Sequence, residues 1–294
     1  MIGRSRGIDR APPEALFIIA ATSQYIGASI AVTLFDRADP QTITWFRLLG
    51  ATIALLIISP GFHRRWTRAQ LGAAAVFGVA TALMNLFFYL AIARIDLGKG
   101  VAIEFIGPII VAAALTRTGR NALALAIAVI GVVILGGVEV RQNTVGLLFI
   151  LAASAMWAVY IVVGARIARL DRGVAGLGVG LGIGVVALAP IGLVGSGPVW
   201  VSPTLLVLAL LTGVFSNAIA YGIDQHVLRR IPIRRFSVLL ALLPATAVLI
   251  GWVVLGQRPS ALDSVGIALI LVAVALQDRE RLSAGEELAP APTA

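Results

Sequence analysis

The chain is 294 residues long, 59% hydrophobic and 13% charged, with a net charge of +9 and a mean hydropathy of +0.98. Soluble domains carry charge on about a quarter of their residues, so this composition excludes one and reads as an all-α polytopic membrane protein. With no cysteine and only His63 and His226 as imidazoles, the sequence offers no disulfide, no thiolate or histidine metal site, and no sign of a cofactor.

Ten apolar runs follow one another, at 14–35, 41–59, 70–93, 97–115, 121–138, 144–165, 174–194, 203–225, 236–255 and 262–276. Each approaches the roughly 20 residues that a helix needs to cross a bilayer. The first follows a basic, polar segment and is too long for the apolar core of a signal peptide, so no cleaved leader is expected. Polar side chains inside the spans are few: Gln24 on the first, Arg47 on the second, Asn85 on the third and Glu104 on the fourth. Counted from the loop ends, these four fall near one depth and are expected to share a cavity. The sixth span adds Trp157 and Tyr160, and the eighth adds Asn217 and Tyr221, one helical turn apart on one face. For the amides the competing role is interhelical hydrogen bonding, and for the two aromatics simple packing. Asp224, beside Arg229 and Arg230, is expected in a surface ion pair. The seventh span alternates glycine from Gly176 to Gly184, a pattern that suits close helix packing better than a gate. The tail 278–294 is polar and is expected to be a disordered cytoplasmic extension.

Glu104 is the residue that most needs explaining. At about 1.5 Å per residue it lies roughly 3 Å from the middle of its run, where a carboxylate costs about 2.5 to 3.5 kcal/mol to insert. Gly100, Glu104, Gly107 and Val111 follow the spacing of one helix face, with Pro108 beside it. Arg47 sits at a similar depth, so the two are expected either to pair structurally or to serve a substrate and a proton in turn.

If the N-terminus is cytoplasmic, seventeen basic residues fall in cytoplasmic segments: Arg4, Arg6, Arg10, Arg64, Arg65, Arg68, Arg117, Arg120, Arg166, Arg169, Arg172, Arg229, Arg230, Arg234, Arg235, Arg279 and Arg281. The outer loops hold Arg37, Arg94, Lys99, Arg141 and Arg258, and the bias predicts that both termini lie inside. Nucleic acid is therefore not an expected partner; the clusters are topology signals facing a lipid bilayer. Trp45, Trp200 and Trp252 then fall near the outer surface and Trp66 near the inner one.

The halves also resemble each other. The segment from Leu16 to Ala21 recurs 132 positions later from Leu148 to Ala153, and at an offset of 136 Arg94-Ile95 matches Arg230-Ile231 and Pro108 matches Pro244. Repeats over 14–139 and 144–277, each with an odd number of spans, would run in opposite directions, as in secondary transporters that rock around a midplane site. Glu104 would then have no acidic counterpart, since the equivalent position in the second repeat is Leu240. Among other classes, an enzyme would need paired carboxylates or a nucleophile with its base, and a channel a repeated filter motif; neither is found.

The motifs S-Q-Y-I-G-A-S at Ser23, F-R-L-L-G at Phe46, M-N-L-F-F-Y-L-A-I at Met84, L-G-K-G-V-A-I-E-F-I-G-P at Leu97 and W-A-V-Y-I at Trp157, with the stretch from Pro244 to Gly256, cover nearly the whole chain. In these the chain resembles the drug/metabolite transporter superfamily with two EamA domains, and more closely its threonine/homoserine exporter type. The resemblance implies ten helices in an inverted repeat within a bacterial inner membrane. It also implies outward movement of small amphiphilic metabolites, amino acids foremost, driven by the proton gradient. Family members often carry glutamate where this chain has Leu243 and Gln257, so the substrate itself is not carried over. Efflux of lipophilic cations or drugs is the alternative, since a buried glutamate and aromatic rings serve those too. Gln24, Arg47, Asn85, Glu104, Trp157, Tyr160, Asn217 and Tyr221 are the expected substrate contacts, with Glu104 the proton-responsive group.

Overall fold

The computed structural model describes residues 11–58, 65–116, 118–167, 173–220, 223 and 242–276. Its elements are α1 (Pro13–Leu34), α2 (Pro40–Ile58), α3 (Arg68–Ile92), α4 (Leu97–Glu104), α5 (Ile106–Thr116), α6 (Gly119–Gln142), α7 (Thr144–Ile167), α8 (Gly173–Gly192), α9 (Gly197–Val201), α10 (Pro203–Gly213), a π-helical turn (Val214–Ile219), α11 (Leu242–Leu255) and α12 (Ala261–Leu276). Among the described residues, five helices are long and apolar enough to cross a membrane, and further apolar helices are shorter. Within the described residues they fall on the ten sequence runs: α4 and α5 make the fourth span, α10 with the π turn lies in the eighth, α11 in the ninth and α12 in the tenth, while α9 lies between the seventh and eighth.

Local chemistry sets the ends. Pro13 and Pro40 open α1 and α2, where their missing N–H groups cost nothing. Thr67 and Gln70 close a reciprocal capping box on α3, with bonds of 3.2 and 3.1 Å. Gly256, at φ 70°, ends α11 in the left-handed conformation, and the Gln257 N–H turns back to the Gly251 carbonyl at 3.0 Å. The outward faces are apolar: Ile57 is 77% exposed, Val186 73% and Val253 71%. A water-soluble chain would bury such side chains; a bilayer covers them, and the protein is a multi-pass helical membrane protein.

The principal contacts between the halves form a regular set. The third span packs on the sixth and seventh, and the eighth on the first and second; the first meets the ninth as the sixth meets the fourth. The second pairs with the seventh, the fourth with the ninth and the fifth with the tenth. Glycines make the closest of these approaches. A Cβ on Gly78 of α3 would collide with the Gly180 carbonyl, one on Gly50 of α2 with the Leu210 carbonyl, and one on Gly213 of α10 with the Arg47 carbonyl. In the alternating run of α8, Gly180 and Gly184 meet α3 while Gly178 and Gly182 meet α2. Two-residue spacing thus serves two neighbours at once, as packing requires. Trp45 is not an interfacial anchor: it is buried, and its Nε1 donates to the Val185 carbonyl at 2.9 Å.

Candidate functional site

Arg47 and Asn217 form the centre of the site. The backbone contacts at Gly50 and Gly213 bring α2 against the eighth span, close enough for Arg47 Nε to donate to Asn217 Oδ1 at 2.9 Å in a fully buried bond. The guanidinium also lies over the Tyr89 ring of α3, 4.7 Å from its centroid, an arrangement that favours a desolvated cation. Asn217 belongs to the π turn, and α1 holds that turn from its other side. Ser23 Oγ donates to the Phe215 carbonyl at 2.8 Å and Ser216 Oγ to the Gln24 carbonyl at 2.9 Å, across an approach that a Cβ on Gly27 would block. One-turn π segments are rare and occur mostly at functional sites.

Several polar atoms here lack partners. Arg47 Nη1, Asn217 Nδ2 and the Tyr89 hydroxyl are buried and, among the described residues, make no hydrogen bond. The Tyr89 hydroxyl has the side chains of Arg47, Thr212 and Ser216 around it, but in no acceptable hydrogen-bonding geometry. Buried polar groups are almost always satisfied, because leaving one unpaired costs about 1–3 kcal/mol.

Glu104 ends α4, and the fourth span breaks immediately after it. Pro108 has no N–H to give the Glu104 carbonyl, and the Phe105 N–H is shared between the Val101 and Ala102 carbonyls at 3.3 Å each. The span is thus two helices rather than the single continuous face read from the sequence. The side chain is 8% exposed and, among the described residues, makes no hydrogen bond or ion pair. Arg47 is the charged group that acts on it electrostatically, yet the two are not paired within 4.0 Å. Trp157 packs edge-on against Phe105, the residue at the break, at 4.8 Å between centroids.

The other expected contacts are less central. Tyr160 lies against Phe77 at 4.8 Å. Asn85 is 3% exposed and its amide donates to the Thr81 carbonyl of its own helix at 2.8 Å. Gln24, half-buried, meets the site through its backbone carbonyl. Tyr221, Asp224 and Leu240 lie outside the described residues. Sequence reasoning missed Tyr89, although a signal was present: Asn85 and Tyr89 stand one turn apart, and the same Asn-x-x-x-Tyr spacing recurs 132 positions later at Asn217 and Tyr221.

Residues 144–277 match the model of the EamA-like transporter family. Over 276 residues the chain is 31% identical to a protein of Salmonella typhimurium named threonine/homoserine exporter RhtA, covering 93% of each chain. Over 264 residues it is 30% identical to the protein of the same name in Escherichia coli strain K12, covering 89% of each. A solved crystal structure superposes with a TM-score of 0.59 at 19% identity, over 90% of this chain and 96% of that one, and shares the fold. A helical membrane chain whose second half fits the family's own model, and whose length aligns almost end to end with two exporters, belongs to the EamA-like transporter family within the drug/metabolite transporter superfamily.

Proposed function

We propose that this protein exports small amphiphilic metabolites, amino acids foremost, across a bacterial inner membrane, and that Glu104 couples export to proton entry. The observation that carries the reading is the unpartnered Glu104 carboxylate at a helix break in mid-span, within the field of a buried arginine. An uncompensated carboxylate there is costly enough to mark an ion or substrate pathway. The relatives named threonine/homoserine exporters support amino acids as the solute class. Arg47 argues against the alternative of lipophilic cations, because a permanent charge beside the path repels them. Among the described residues, the principal pairings between the halves map onto one another when the first five spans are exchanged with the last five. That supports an inverted repeat rocking about a midplane site.

Over-production is expected to speed the efflux of preloaded threonine and homoserine and to raise tolerance to toxic amino acid analogues, both effects lost when a protonophore is added. In proteoliposomes Glu104→Gln is expected to retain exchange of labelled threonine at saturating concentration but to lose accumulation against a gradient. Unchanged efflux of every amino acid tested, together with new tolerance to cationic dyes, would move the protein to the drug-efflux alternative.

A further inference from the structure

We infer that the site is a two-pole clamp for a zwitterion, with the substrate carboxylate held by Arg47 Nη1, Tyr89 Oη and Asn217 Nδ2 and its ammonium held at Glu104. This rests on the exporter reading above and specifies what that site recognises.

The first pole is defined by its orphan atoms. Arg47 Nη1 and Asn217 Nδ2 can only donate, and the Tyr89 hydroxyl can donate as well; all three are buried without a partner. The bond from Arg47 Nε to Asn217 Oδ1 fixes which end of the amide is left over. It occupies the acceptor and leaves the donor. A buried cation with surplus donors and no carboxylate within ion-pair distance is the chemical complement of an anion. A carboxylate brings one charge and four lone-pair positions. A doubly charged phosphate would exceed the single guanidinium, and a neutral carboxamide would face donors with its own donors.

The second pole has the opposite character. Glu104 makes no hydrogen bond or ion pair among the described residues, and it closes α4, so the negative end of that helix dipole lies at the same place. Its backbone carbonyl has lost its α-helical donor to Pro108. Two acceptors, one of them charged, gather at the helix break, where the neighbouring Phe105 ring packs on Trp157, a setting for an ammonium group. The poles are more than 4.0 Å apart but electrostatically coupled. A zwitterion bridges that gap and neutralises both. Because Glu104 holds either the ammonium or a proton, a single group makes the two exclude each other.

The test crosses ligand groups against protein groups. Equilibrium binding to purified protein is measured for L-threonine, for L-threoninol, which lacks the carboxylate, and for N-acetyl-L-threonine, which lacks the ammonium. In the wild type both analogues are expected to bind about tenfold or more weakly than threonine, the value of a charge-assisted hydrogen bond. Arg47→Gln and Tyr89→Phe should each bring threonine toward threoninol with no further loss for threoninol itself. Glu104→Gln should bring threonine toward N-acetyl-threonine with no further loss for that analogue. Tyr89→Phe deletes one oxygen and keeps the ring beneath Arg47, so it stands if Arg47→Gln does not fold. Equal losses for all three ligands in every variant, or unchanged threonine affinity in Tyr89→Phe and Arg47→Gln, would overturn the clamp while leaving the exporter reading intact. A folded wild type that binds none of the three but binds a cationic dye would overturn both.

Discussion

Tyr89 separates the requirements of folding from those of function. Its ring supports the Arg47 guanidinium, which Phe would do nearly as well, while its hydroxyl is buried without a partner. Removing an unsatisfied buried hydroxyl relieves a penalty of about 1–3 kcal/mol. Tyr89→Phe is therefore expected to melt at the same temperature as the wild type or higher in detergent, even as it loses threonine affinity; a clear fall in melting temperature would mean that the hydroxyl is structural. Glu104 was legible in the sequence, because a lone carboxylate in an apolar run announces itself by its cost. Its relation to Arg47 was not. Depth along the membrane follows from counting residues, but the rotation of one helix about its axis relative to another does not, and that rotation turns Arg47 toward Asn217 and Tyr89 instead. Tyr89 was passed over because a tyrosine near a span end is ordinary, and only the recurrence of its spacing to Asn85 at Asn217 and Tyr221 distinguishes it.

At the scale of elements, the runs and their ends were readable because apolar length, proline and capping residues are local signals. Two features at the site were not. The π turn at Val214–Ile219 has no composition of its own, and the break after Glu104 was hinted at only by Pro108. What brings these irregular segments together is the regular packing around them, and glycine is its limiting component. Adding a methyl at Gly213 places it into the Arg47 backbone. With no flexible side chain to yield, α2 and α10 must separate. Overpacking of this kind costs about 1–3 kcal/mol. Gly213→Ala is accordingly expected to lower the melting temperature and the yield of folded protein, whereas Gly72→Ala, where the added methyl meets nothing within 4 Å, should leave both unchanged. Equal behaviour of the two variants would show that the helices are not held at backbone contact. A second tie lies at the start of the fourth span. There Gln257 Oε1 accepts from the Leu97 N–H at 3.0 Å, and Lys99 lies 3.4 Å from Asp96 and 3.6 Å from Asp263. These contacts join α4 to the start of α12 and the loop before it, across the boundary between the halves. Gln257 acts here as a neutral cap.

For the whole molecule, the arrangement of charge assigns a direction to the fold. By the count of the sequence, seventeen basic residues belong to one side and five to the other, and arginine and lysine near span ends resist translocation, so the side richer in them is expected to stay in the cytoplasm. With ten spans both termini are expected on that side, and an inverted repeat would then place equivalent helices antiparallel. The proposed export direction depends on this orientation, in which α4 is expected to enter from the outer surface and to bring Glu104 to the centre from outside. The chain contains no cysteine, so single cysteines can be read without background. Two positions suit the test, Gly197 at the start of α9 and Gly119 at the start of α6, since a side chain added at either meets nothing within 4 Å and both are exposed. An impermeant maleimide added to intact cells is expected to label a cysteine at Gly197 and to leave one at Gly119 unlabelled until the membrane is opened. Labelling of both in intact cells would break the ten-span count between them. Labelling of Gly119 alone would invert the molecule, with α4 entering from the cytoplasm and the two substrate poles presented in the opposite order.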